Sequence, residues 1–200
     1  LFATAAIALG AFVLVERRAG AASLVPGDVL GNRTFLASCI AVLLMSAIFF
    51  ASLVFVPQFL IHNLRYSAME AGAGLLPMMG TFALTSFAAG PLYGRLGPKK
   101  IVSLGAAFLV AGIFLLSRIT SATPYDALIG PMVVLGIGVG LFYSSITTAA
   151  ITVLDASRAS LAGGIVYMFQ IGGGSIGLGV NTALVVTAPT LAEGLHRAFL

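Results

Sequence analysis

Charge is missing from most of this chain. Cutting the sequence at Asp, Glu, Lys, Arg and His leaves six long stretches, 1–15, 34–60, 71–93, 101–117, 127–154 and 159–188, with none of those residues inside. A helix needs about 20 mostly apolar residues to cross the roughly 30 Å hydrocarbon core of a bilayer. The last five stretches meet that length, and the first looks truncated. Of 200 residues, 60% are hydrophobic and 8% charged, whereas a water-soluble domain carries about 25% charged residues. Polar residues are too few here to cover a surface facing water, as the mean hydropathy of +1.11 also says. The expected fold is all-α: a polytopic membrane protein of one partial and five complete transmembrane helices, with lipid as its solvent.

The connectors are short and polar, at 16–33, 62–70, 94–100, 118–126 and 155–158, and none has room for a folded domain. Successive spans reverse direction, so alternate connectors share a side. One set holds Arg17, Arg18, Arg33, Arg95, Lys99, Lys100 and Arg158, and the other Arg65, Arg118 and Arg197. Cytoplasmic loops of membrane proteins carry the excess of Lys and Arg. That rule puts loops 16–33, 94–100 and 155–158 in the cytoplasm of a multi-pass cell (inner) membrane protein, with the first residues toward the outside. The net charge of +4 therefore reads as topology, and no nucleic-acid partner is expected. Leu1 opens inside a hydrophobic run and Ala198-Phe199-Leu200 leads toward another, so the chain is expected to be a fragment of a longer protein.

Small residues are dense in the spans. Gly90 and Gly94, Gly136 and Gly140, and Gly173 and Gly177 have the GxxxG spacing that lets helix backbones approach in lipid. Pro57, Pro77 and Pro131 fall within spans, where kinks are expected.

Enzyme chemistry finds little support. Gly173-Gly174-Ser175-Ile176-Gly177 matches a nucleophile elbow, and Gly172 to Gly177 a dinucleotide fingerprint, but both patterns require a strand–turn–helix context. Here they lie in a continuous apolar stretch, where glycine serves helix packing. The histidines, His62 and His196, sit in connectors, away from any base role at mid-depth. No His, Cys or carboxylate cluster offers a metal site, so no catalytic residues, metal or cofactor are expected. Cys39, the single cysteine, reads as a structural thiol in an apolar run. Asn32-Arg33-Thr34 fits a glycosylation sequon on the cytoplasmic side, where it has no meaning.

The loop Gly90-Pro91-Leu92-Tyr93-Gly94-Arg95-Leu96-Gly97-Pro98-Lys99-Lys100 resembles the loop signature of the major facilitator superfamily. Gly90, Leu92, Arg95, Gly97, Lys99 and Lys100 match that pattern, while Gly94 stands where it has Asp. Glu16-Arg17-Arg18, Asn32-Arg33-Thr34-Phe35, Pro57-Gln58-Phe59-Leu60, Tyr66 to Gly72, Leu76-Pro77-Met78, Gly136 to Leu141 and Gln170-Ile171-Gly172-Gly173 come in an order similar to the fourteen-helix drug:proton antiporters of the EmrB/QacA type.

The resemblance implies that 1–15 ends a linker helix, 16–33 is a cytoplasmic loop, and 34–200 is a C-terminal six-helix bundle lacking its last helix. It also implies a proton-driven multidrug or small-molecule antiporter working by alternating access. Its partners would be a small-molecule substrate, protons, the lipid bilayer and the missing N-terminal half. A metabolite exporter of the same superfamily is the alternative, and a channel or intramembrane enzyme a more distant one.

Mid-span polar residues are the candidates to line a substrate pocket. Tyr167 and Gln170 are three apart and share a helix face, and Tyr143, Ser144, Thr147 and Thr148 form a polar patch. Phe49, Phe50, Met78, Met79, Met168 and Phe169 could supply an adaptable apolar wall. Gly90, Gly94, Arg95, Gly97, Lys99 and Lys100 are the candidate conformational loop. No carboxylate lies inside a span, so any coupling acid is expected in the missing half, with Glu70 capping a helix instead.

Overall fold

The structure is a computed structural model describing residues 27–120 and 122–186, together with Ile7, Gly10, Ala11, Leu14, Val15 and Arg18. The rest of the expected partial span 1–15, most of loop 16–33, and residues 187–200 with His196 and Arg197 lie outside the described residues. The described elements are α1 (Gly27–Gly31), α2 (Arg33–Leu64), α3 (Ala68–Ala73), α4 (Leu76–Leu96), α5 (Pro98–Ser117), α6 (Tyr125–Thr152), a 3-10 turn (Ala156–Arg158) and α7 (Ala159–Val186). Among the described residues there is no strand. Five helical segments are long and apolar enough to cross a membrane: α2, α3 with α4, α5, α6, and the 3-10 turn with α7.

Local chemistry explains where these helices start and stop. Asn32 caps α2, its Oδ1 accepting from the backbone N–H groups of Thr34 at 3.0 Å and Phe35 at 3.1 Å. The residue that formally heads a sequon is thus a helix cap. The helix ends at Arg65, whose φ of 60° and ψ of 28° turn the chain left-handed. Ser67 and Glu70 then form a capping box on α3: Ser67 N–H donates to Glu70 Oε2 at 2.8 Å, and Glu70 N–H to Ser67 Oγ at 3.3 Å.

The stretch expected as one span, 71–93, is divided. Its helix starts earlier, at Ala68, breaks after Ala73 and resumes at Leu76. Pro77 accounts for the break. It has no N–H to bond back to Ala73, and it sits in the first turn of α4, where that loss is tolerated. Pro57 and Pro131 lie inside the continuous helices α2 and α6, as Pro91 does inside α4.

Helix α6 is the hub, packing against α2, α4, α5 and α7, while α7 lies chiefly along α2. Glycine spacing makes the hub possible. At about 100° per residue, Gly136 and Gly140 share one face of α6 and Gly138 points the opposite way. A Cβ at Gly136 would strike Thr81 Oγ1 and the Met78 carbonyl of α4, and one at Gly140 would strike Thr85 Oγ1. A Cβ at Gly138 would lie 2.5 Å from the Leu109 backbone N of α5. From the other side, Gly105 and Gly112 of α5 meet the backbone of Phe142 and Leu135. Gly173 and Gly177 of α7 lie against Leu43 and Ala47 of α2 in the same manner. The third GxxxG pair behaves differently: a Cβ at Gly90 or Gly94 would meet nothing within 4 Å. The spacing is shared, but among the described residues only two of the three pairs lie in contact with a neighbouring helix.

Two apolar clusters result. The larger joins α2, α4, α5 and α6 around Phe55, Phe59, Met78, Leu109, Leu135 and Val139. The smaller joins α1, α2, the end of α6 and the start of α7 around Val29, Phe35, Cys39, Ala150 and Ile165. Cys39 is a free, fully buried thiol within it.

Candidate functional site

Most hydroxyls inside the membrane-length helices bond back to their own helix, as those of Ser38, Ser52, Thr81 and Thr148 do, so a bond between helices is informative. Tyr143 of α6 donates its hydroxyl to Gln170 Oε1 of α7 at 2.7 Å. This bond joins two helices that otherwise meet sparsely, in an apolar setting where water competes little for the groups. Thr147 lies one turn further along α6, its hydroxyl buried without a hydrogen-bond partner. Tyr167, one turn before Gln170, is 58% exposed on the bundle's outer face, and its neighbour Met168 is 57% exposed. Polar Tyr143, Thr147 and Gln170 therefore gather at one place, with Tyr167 and Met168 displayed beside them.

The α6 patch read from sequence does not stay together. Ser144 and Thr148 face α4, where they share a cavity with Ser86 and Gly90, while Tyr143 turns toward α7. Thr148 Oγ1 donates to the Ser144 carbonyl at 2.7 Å. The expected apolar wall also divides. Met78 is fully buried in the bundle core, Phe50 covers Gly174, and Phe49 packs its ring on Phe82 with centroids 5.6 Å apart.

The cation-bearing loop is a tight helical corner. Gly97 has φ 80° and ψ 159°, a backbone region open essentially only to glycine. Its N–H bonds back to the Tyr93 carbonyl at 3.0 Å, and Pro98 starts α5 at once. Arg95, Lys99 and Lys100 are exposed around this corner. Behind it a cleft of about 500 Å³ opens between α2, α4, α5 and α6, lined by Thr34, Ser38, Tyr93, Lys99, Ser103 and Thr152 among others. Sequence reading missed Ser86 and Ser145, whose hydroxyl oxygens are buried without a protein partner, as are those of Ser46 and Thr147. The signal was there in Thr85-Ser86 and Ser144-Ser145, adjacent hydroxyl pairs within apolar spans. Among the described residues no group of three His, Cys, Asp or Glu could hold a metal ion.

Comparison with known proteins places this arrangement. Residues 1–178 match the family model described as Major Facilitator Superfamily. The MFS-type transporter EfpA of Mycobacterium tuberculosis is 31% identical over 187 residues, 92% of this chain and 35% of that protein. The multidrug resistance protein Stp of the same organism is 30% identical over 200 residues, 98% of this chain and 36% of its own length. The multidrug transporter protein MdtP of Bacillus subtilis is 28% identical over 178 residues, covering 89% and 33%. The chain thus spans about a third of the length of these three relatives. A bundle of membrane-length helices around a glycine-faced hub, with a glycine-cornered cationic loop and a match over most of its length, has one family reading: the chain belongs to the Major Facilitator Superfamily.

Proposed function

We propose that the chain is the C-terminal part of a secondary transporter that exports small, chemically varied molecules by alternating access, driven by a proton gradient. The observation that carries the reading is the Tyr143–Gln170 hydrogen bond beside exposed Tyr167 and Met168. It is a polar group with an apolar, adaptable border, placed well inside a bundle that otherwise offers lipid-compatible side chains. Two of the relatives are named for multidrug transport or resistance, which supports a substrate class of that breadth.

In this reading a second bundle, supplied by the N-terminal half, closes the opposite wall of the pocket. Substrate sits between the two near mid-membrane. Gln170 and Tyr143 hydrogen-bond it, while Tyr167 and Met168 adapt to its apolar parts. Thr147 lies one turn further along the same face of α6, while Ser144 stands on the α4 side, outside this pocket. The corner at Gly90, Gly94, Arg95, Gly97, Lys99 and Lys100 faces the cytoplasm of the inner membrane and moves as the bundles rock.

Charged side chains of the described membrane-length helices sit at their ends, as Arg33, His62, Arg95, Lys99, Lys100 and Asp126 do. Glu70 is committed to the α3 cap. The titrating group that couples protons to export is therefore assigned to the other half.

The test is dye export from intact cells expressing the full-length transporter, with and without a protonophore. Export should stop with the protonophore and fall strongly in Gln170→Leu at unchanged membrane abundance. Export that persists without a proton gradient would remove the antiport mechanism. Full export by Gln170→Leu and Tyr143→Phe would remove the pocket assignment. Absence of dye export, with uptake or release of a metabolite instead, would shift the substrate class.

A further inference from the structure

The membrane-length segment Ala68–Leu96 changes neighbours where its helix breaks. Its first piece, α3, packs on the end of α2, and its longer piece, α4, packs on α6 and α5. Gly74 and Leu75 carry the turn between them. Leu75 N–H bonds to the Gly72 carbonyl at 3.2 Å, three residues back instead of four, and Pro77 has no N–H to offer Ala73. Helices bend where this ladder is interrupted. Three residues from other elements meet at the break. Leu60 of α2 lies against Gly74, its Cδ1 2.5 Å from where a Cβ would stand. Tyr125, the first residue of α6, donates its hydroxyl to the Gly74 carbonyl at 3.2 Å. Tyr66, from the turn between α2 and α3, packs its ring against that of Tyr125, with centroids 5.9 Å apart. Gly74 is buried, and both tyrosines are partly buried.

We propose that Gly74–Leu75 is a hinge in this segment and that the Tyr125 hydroxyl is the strap that holds it. With the bond made, the ends of α2, α3 and α6 opposite the Arg95–Lys100 corner stay joined as one body. With it released, α3 follows α2 while α4 remains on α6. Bending at this point breaks few backbone bonds, because the helix has already given them up, so one hydroxyl is enough to set how often the segment bends. Tyr66 holds the Tyr125 ring in the orientation that reaches Gly74, and Tyr125 is thus a positioning residue. It stands about 27 Å along α6 from Tyr143 at 1.5 Å per residue, so the hinge does not depend on the pocket or on any substrate assignment.

The test is hydrogen–deuterium exchange of the full-length transporter in lipid nanodiscs, read on residues 72–80 and, as a control in the packed core of α6, on 132–142. Tyr125→Phe should speed exchange in 72–80 several-fold and leave 132–142 unchanged. Pro77→Ala restores the missing N–H, and in that background Tyr125→Phe should change little. A bond that merely adds stability would act alike in both backgrounds. A second measurement does not need the proline variant. Spin labels on Met69→Cys and Leu84→Cys, exposed on either side of the break, are placed in a cysteine-free protein with Cys39→Ser. Their distance distribution should broaden when Tyr125→Phe is added. Unchanged exchange in 72–80 would overturn the proposal, as would an equal rise in 132–142, equal effects in both proline backgrounds, or an unchanged distance distribution.

Discussion

The two sides of α6 are packed by the same kind of residue and open differently: into a wide cleft toward α5 and a smaller cavity toward α4. Toward α5, Gly138 meets Leu109, and Gly105 and Gly112 meet Phe142 and Leu135, so backbone lies on backbone between Gly105 and Gly112. Toward α4, Gly136 and Gly140 make equally close contacts with Met78 and Thr85, but one turn later the helices part around a hydroxyl-lined cavity. The difference lies in the residues next along each seam. On the α5 side, Val102, Ile146 and Ala149 follow, and the close packing gives way only at the open cleft beside Lys99. On the α4 side come Ser144, Ser145 and Thr148, opposite Ser86 and Gly90, small polar groups that cannot fill the gap themselves. A glycine seam is tight only while the partner helix presents backbone or a side chain of matching size.

That contrast can be broken by substitution. Gly138→Leu should have the largest effect. Overpacking a core usually costs about 1–3 kcal/mol, and here the new side chain meets α5 backbone at 2.5 Å with nothing to move aside. Size-exclusion profiles of the tagged transporter should show loss of the folded peak. A normal profile would mean that α5 and α6 are not held this close.

Gly140→Ala comes next. Its Cβ would press on Thr85 Oγ1, which can rotate, and lie 2.7 Å from the Phe82 carbonyl, which cannot. A cost of about 1–3 kcal/mol is expected as a lowered thermal midpoint. Tyr143→Phe removes one interhelical bond and should cost about 1 kcal/mol or less in stability while depressing the export proposed above much more. Equal losses in both measurements would make the bond purely structural. The smallest effect belongs to Gly90→Ala, whose Cβ enters open space. Its midpoint should not fall, and it could rise by up to about 1 kcal/mol from helix propensity. A fall as large as that of Gly140→Ala would erase the distinction between the tight and open parts of the seam.

Much of the helical architecture is legible in the sequence because lipid imposes so narrow a rule. Uncharged runs such as 101–117 and 127–154 have to be helices, and α5 and α6 occupy them within a few residues. The ends shift where capping outweighs hydropathy. Ser67 with Glu70 pulls a helix start back to Ala68, and Pro77 breaks the helix that hydropathy runs through. The candidate site is legible in part. Gln170 and Tyr143 stand out as polar residues in apolar helices, but only the fold shows that they bond to each other. Ser144 groups with Tyr143 in sequence because they are neighbours. Adjacent residues on a helix point about 100° apart, and here that angle separates the α4 side from the α7 side.

Sequence alone settled the solvent, the helical class and the number of membrane-length segments described, because an unsatisfied peptide group in hydrocarbon costs several kcal/mol and helices remove that cost locally. The tertiary structure decided which glycines carry a neighbour and which hydroxyls find one. Gly90 and Gly136 head the same motif, yet one faces open space and the other the Met78 carbonyl. Packing partners depend on which helices meet and at what height, and no local pattern encodes that.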